Sequence, residues 1–172
     1  KTPLHAALMA IQWPRKGYEK QIKALGLLLP VWPWIEKLPG ISSFGLGQLV
    51  GEIKDPWDYS GPAKVWKRMS LDVDPDGRAQ RKVAGISEKE ARRRGFCPRR
   101  RQLAFLLADA MIKRNKNPDK SDGEYRTLYV GRKQYEIDRA PNMAAFIVHR
   151  RAARFMFKRF LLDFWREWRA CA

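Results

Sequence analysis

Only two cysteines, Cys97 and Cys171, occur in 172 residues, and they stand far apart. Such sparse use excludes a disulfide framework and fits a reducing compartment. Histidine is equally scarce: His5 and His149 are isolated, with no Cys, His or carboxylate set at ligand spacing around them. Structural zinc needs about four such ligands, so neither a metal site nor a cofactor is expected. No apolar run reaches the ~18 residues of a membrane-spanning helix, and no signal-peptide pattern opens the chain. The first residue is Lys1 rather than methionine, so the expectation is a trimmed chain or a piece of something longer. A nucleotide-binding glycine loop is missing too. Asp72, Asp74 and Asp76 alternate as in a calcium loop, but Pro75 intrudes and the downstream glutamate is absent, so the segment reads as a turn. No catalytic set emerges, and no enzymatic activity is expected of this chain alone.

Acidic residues are the other shortage. Eighteen Asp+Glu face 35 Lys+Arg, which leaves a net charge of +17 and a pI near 10.3. That imbalance points to a polyanionic partner, nucleic acid first and an anionic membrane surface second. Apolar residues make up 45% of the chain, enough for one domain, or at most two small ones, with a real core.

The apolar spacing is helical throughout, and the fold class expected is all-α. Residues 1–33 read as N-terminal helices leading into the core: one from Thr2-Pro3 to about Gln12, broken at Pro14, then one from Lys16 to Leu29 with the stripe Tyr18, Ile22, Leu25, Leu28 and Leu29. Residues 34–115 hold a hairpin and a basic region. Residues 116–172 read as C-terminal helices packing on the same domain. Glu124 to Arg139 is ambiguous between a small hairpin and a helix, with helix favoured. The polar loop Asn115 to Gly123 is expected to be mobile. The last helix, about Asn142 to Trp168, puts Phe146, Ala153, Phe157, Phe160, Phe164 and Trp168 on one face. Arg151, Arg154, Lys158, Arg159, Arg166 and Arg169 fall on the other. Core is the favoured reading of its aromatics; a membrane-surface helix is the alternative.

The stretch Trp34 to Ile53 organises the chain. Pro39 should end a first short helix, Gly40 can take a positive φ, and Ser42 or Ser43 can cap a second helix carrying Phe44, Leu46, Leu49, Val50 and Ile53. Leu38-Pro39-Gly40-Ile41 resembles the helix-hairpin-helix motif of DNA-binding proteins. The resemblance implies that amides around Gly40, Ile41, Ser42 and Ser43 face a phosphate at the positive end of the second helix. An ordinary helical corner with no ligand is the alternative.

Beyond it, a turn at Asp55 to Ser60 precedes a short helix near Pro62, with Val65, Trp66 and Met69 inward and Lys64, Lys67 and Arg68 outward. From Gly77 to Arg101 there are ten Lys/Arg and only two acids. Ser87-Glu88-Lys89-Glu90 is a capping box, and Pro98 opens a helix to about Lys113 with Leu103, Leu106, Leu107, Ala110 and Met111 on one side. Arg78, Arg81, Lys82, Arg92, Arg93, Arg94, Arg99, Arg100 and Arg101, with Lys64, Lys67 and Arg68, form the expected polyanion surface. Arginine, the better bidentate phosphate ligand, dominates it. A merely solvated basic face is the alternative.

The order of parts resembles the C-terminal domain of Piv-type DNA invertases and the related insertion sequence one-ten, one-sixteen and nine-oh-two transposases. Leu38-Pro39-Gly40-Ile41, Gly51-Glu52-Ile53, Trp57-Asp58-Tyr59 and Ala63-Lys64-Val65-Trp66 carry the resemblance, followed by Arg101, Leu103, Leu107 and Ala110. It covers about Lys16 to Trp168 and is specific only in the hairpin block. It implies binding of nucleic acid, DNA before structured RNA, in a bacterial cytoplasm at the nucleoid, with self-association left open. These 172 residues leave no room for the N-terminal nuclease-like domain of those recombinases, so a detached fragment or a repurposed relative is expected. Where their loop carries a serine, it reads Asp74-Pro75-Asp76-Gly77, so strand cleavage is not implied. A repair glycosylase, which also uses the hairpin, ranks lower because no Val-Asp pair lies around Pro62-Ala63-Lys64.

Overall fold

A computed structural model describes residues 3–81, 83–114 and 123–171, with side chains from Pro14 onward. Eight α-helices run through the described residues: α1 (Pro3–Leu27), α2 (Trp32–Ile35), α3 (Ser43–Ile53), α4 (Pro62–Arg68), α5 (Glu88–Arg93), α6 (Pro98–Arg114), α7 (Glu124–Arg139) and α8 (Ala145–Ala170). The fold is all-α, and its one extended pairing among the described residues is an isolated bridge between Val73 and Ala79. None of these helices is long and apolar enough to cross a membrane. Most of the Asn115 to Gly123 loop lies outside the described residues, as does Lys82.

The core is built on α8. Its helical spacing stacks Met156, Phe157, Phe160, Leu161 and Phe164 on one buried face. Against that face lie Ile35 of α2, Leu46, Leu49 and Ile53 of α3, Val65 and Met69 of α4, and Met111 of α6. Phe160 sits at the centre, stacked on Trp34 at 5.9 Å and edge-on to Tyr125 at 5.7 Å. Two tryptophans tie this helix to the chain before it: Trp66 Nε1 donates to Lys158 O (2.9 Å) and Trp165 Nε1 to Tyr59 O (3.2 Å). Each pairs its one polar atom while its ring packs.

The ambiguous 124–139 segment is helical, and antiparallel to α8. A buried carboxylate fastens the two: Glu136 accepts from Arg132 of its own helix and from Arg151 of α8 (3.0 Å). Burial alone would raise its pKa, but the hydrogen bonds and charges of Arg151 and Arg132 outweigh burial and hold it below the ordinary carboxylate range. A depressed folded pKa means the stabilisation is present above the unfolded value and is lost as pH falls through the folded one. Glu136→Gln should therefore cost about 1.5–3 kcal/mol at neutral pH. The gap between parent and variant should close as the pH drops below roughly 4. Urea titrations at pH 7 and pH 3 check this; an equal gap at both would refute it.

Several expectations of the N-terminal half need correction. The helix is not broken at Pro14; α1 runs through it, although an interior proline typically costs about 3 kcal/mol. The stripe expected to be core is mostly outside: Tyr18, Leu25 and Leu28 are 65%, 62% and 79% exposed. The reason is the seam between α1 and α3, which is made of glycine. A Cβ on Gly26 would collide with the Ser43 carbonyl, and one on Gly47 would lie 2.6 Å from Ile22. So close an approach buries Gly26, half-buries Ile22 and turns the larger side chains away. Leu106 and Phe146, expected on apolar faces, are also exposed. The last helix begins at Ala145 rather than Asn142.

Candidate nucleic-acid interface

The hairpin forms from local chemistry. Gly40 adopts φ +104°, and Ser42 caps α3 by accepting from the Gly45 amide at 3.2 Å. The first helix is only the four residues of α2, continued by turns to Pro39. The surroundings, however, are protein. A Cβ on Gly40 would stand 2.5 Å from Met111 Cα and 2.9 Å from Ala110 O, while Ser43 O lies against Gly26. The hairpin is thus wedged between α1 and α6. Ile41 is buried in the core, and the close approach that glycine permits here is to the α6 backbone. Ser43 is half-buried and Ser42 is exposed.

The basic side chains divide by what they touch. Arg68 Nε donates to Glu52 O (2.9 Å), and Arg100 Nε donates to Glu52 Oε2 (3.1 Å). Arg99 reaches Glu52 Oε1 at 2.7 Å although its own side chain is 86% exposed. Arg101 Nε donates to Ser70 O at 3.0 Å, and Arg154 of α8 donates to Leu71 O (2.7 Å) and to Asp72 O. These carbonyls end α3 and follow the end of α4, where backbone acceptors lack intrahelical donors and the dipole is negative. Arginines cap them across the fold. Burial lowers the pKa of Arg101, and the charges of Arg154 and Arg150 lower it further. Arg68, Arg100 and Arg101 therefore serve the fold as well as adding to its positive potential.

A second set faces solvent. Lys64, Lys67, Arg78 and Arg81 are exposed and make no ion pair among the described residues. Arg92, Arg93 and Arg94 are exposed and pair with Glu88 or Glu90 on their own helix, at 2.9, 3.7 and 3.0 Å. Exposed pairs of this type are worth only about 0.3–0.5 kcal/mol, so an incoming phosphate can displace them at small cost. Ser87 caps α5 by accepting from the Glu90 amide, as the capping box requires.

These cations come from segments that the fold draws together. Ser70 Oγ accepts from the Cys97 amide (2.6 Å) and donates to Cys97 O (3.1 Å), joining the end of α4 to the α5–α6 junction. A Cβ on Gly95 would lie 3.1 Å from the Lys67 stem. The loop bearing Arg78 is closed by its own turn, in which the Asp74 amide donates to Arg78 O and the Arg78 amide to Asp74 Oδ1 at 2.7 Å. Asp72, Asp74 and Asp76 make a turn, and no three His, Cys, Asp or Glu gather as a metal would require among the described residues.

Two residues of α8 were misplaced by periodicity. Arg154 and Lys158, expected on the outer face, are half-buried against the 66–72 segment, with the Lys158 ammonium 4.1 Å from the Trp66 ring centre. Burial lowers the Lys158 pKa. With Arg150 they form an i, i+4, i+8 stripe, and that spacing was the one signal in the sequence that they share a face. Compared with protein-family models, curated proteins and solved structures, this chain finds no match.

Proposed function

We propose that this chain binds nucleic acid, duplex DNA before structured RNA, as the C-terminal domain of the invertases and transposases it resembles would do. The observation that carries the reading is the division of the arginines. After Arg68, Arg101 and Arg154 are committed to backbone carbonyls and Arg100 to the Glu52 carboxylate, Lys64, Lys67, Arg78, Arg81 and Arg92 to Arg94 still project from one connected region. A solvated basic face would need no such density, and the region carries no specific contact for a base. The binding is therefore electrostatic and positional rather than sequence-reading. The membrane alternative loses its main support because Phe157, Phe160 and Phe164 lie in the core. No strand cleavage is proposed. A place on the bacterial nucleoid follows from the same reading.

With roughly six phosphate contacts, log K should fall against log salt with a slope of about −5. Arg92→Gln and Arg93→Gln should each reduce that slope by about one and leave the melting temperature in place. Arg154→Gln should do the opposite and destabilise the fold. Fluorescence anisotropy on a short duplex between low and moderate salt measures the slope. A flat titration would overturn the proposal.

A further inference from the structure

Between the first halves of α6 and α8 lies a groove of about 510 Å3, within the ~300–1,000 Å3 of ordinary ligand sites. Phe96, Phe105 and Phe146 supply its aromatic walls, and Arg101 and Arg150 its positive charge. The Arg150 guanidinium lies over the Phe146 ring at 4.3 Å and over Phe105 at 5.6 Å. Arg101 lies over Phe96 at 5.0 Å, and its Nη2 is buried with no hydrogen-bond partner. Phe146 is nevertheless 61% exposed.

We infer that this groove receives an unpaired nucleobase of the bound strand, stacked on Phe146 and Phe105, with the adjoining phosphate on Arg150. This rests on the nucleic-acid reading above and adds a subsite to it. Three features point to a base carrying a phosphate rather than to an apolar ligand. Arg150 is exposed and makes no ion pair among the described residues, so an anion completes it. Its neighbours Arg101 and Arg154 crowd more positive charge nearby, which an anion relieves. The exposed face of the Phe146 ring and the half-buried Phe105 ring both lie under the Arg150 guanidinium, and a base can replace it while the guanidinium moves to the phosphate. The approach is also continuous, because the basic run from Arg92 to Arg100 contains Phe96 and Pro98 of the groove wall. A base stacked in a duplex is not available to such a groove, so the occupant is a bulged, frayed or single-stranded nucleotide.

The test uses two duplexes of equal length and charge, one fully paired and one carrying a single bulged 2-aminopurine. The parent should bind the bulged duplex about tenfold more tightly at the same salt, the lower part of the range for aromatic–base stacking, and should quench the probe. Phe146→Ala should lose both the preference and the quench, yet keep the parent's affinity and salt slope on the paired duplex. Phe146→Leu, which retains apolar bulk, should behave like the alanine variant and serves in its place if that one melts early. A parent that binds both duplexes alike, or a folded variant that keeps the preference, overturns the subsite and leaves electrostatic binding standing. A parent that binds neither duplex overturns both readings.

Discussion

Phe160→Ala should lower stability by about 3–5 kcal/mol, the range for truncating a buried phenylalanine to alanine. The side chain is fully buried and touches four other rings. Trp34 and Tyr125 lie at 5.9 and 5.7 Å, and Phe157 and Phe164 at 5.3 and 6.1 Å. Those contacts join α2, α7 and α8, so no single helix can shift to fill the void without opening another contact. Well-oriented aromatic pairs add about 0.5–1.5 kcal/mol each beyond the area they bury. For a chain of this size about 2–4 °C of melting temperature accompanies each kcal/mol, so a loss on the order of 10 °C is expected. Phe155 is the control on the same helix. It is 44% exposed, and its one ring contact among the described residues is the Arg132 guanidinium at 5.0 Å, so Phe155→Ala should cost less than about 1 kcal/mol. Equal melting of the parent and the Phe160 variant would remove α8 from the centre of the fold.

The part of this structure that was legible in the sequence is the part decided within a few residues. Pro39, Gly40 and Ser42 specify a turn and a cap by their own conformational and hydrogen-bonding chemistry. The structure has the positive φ and the Ser42 cap in the expected places. The face of α8 was equally readable at its centre, because Phe157, Phe160 and Phe164 recur at helical spacing. What escaped was decided at long range. Arg154 bonds Leu71 O across 83 positions, and no local rule says which arginine will find which unpaired carbonyl. Periodicity assigns an arginine to solvent by default. Here the side chain is half-buried and its head bonds carbonyls just past the end of α4. The exposed leucines of α1 were missed for a related reason. Amphipathic spacing assumes that bulk drives burial, whereas Gly26 and Gly47 let backbones meet and leave no room for bulk. The groove of Arg150 and Phe146 was hidden because its two walls come from helices far apart in the chain.

Gly40→Ala should be strongly destabilising, and its outcome separates two roles for the hairpin. Two costs combine. At φ +104° an alanine sits in a conformation that L-residues rarely adopt, at about 1–3 kcal/mol. The added Cβ would stand 2.5 Å from Met111 Cα and 2.8 Å from its amide nitrogen. Both are backbone atoms of α6, unable to yield as a flexible side chain can, so overpacking adds about 1–3 kcal/mol. A total of about 2–6 kcal/mol would show in urea as a lower midpoint with an unchanged slope. Gln134→Ala, on the exposed side of α7, should stay within about 0.5 kcal/mol of the parent. Binding measured well below the variant's melting temperature then assigns the role. If the glycine exists to seat the hairpin on α6, the folded variant binds duplex with the parent's affinity and salt slope. If the same backbone instead cradles a phosphate, the stability loss is small and affinity drops by one to two decades, because a charge-assisted backbone hydrogen bond is worth about 1.5–3 kcal/mol and each decade about 1.4 kcal/mol. The contact with Met111 favours the first outcome.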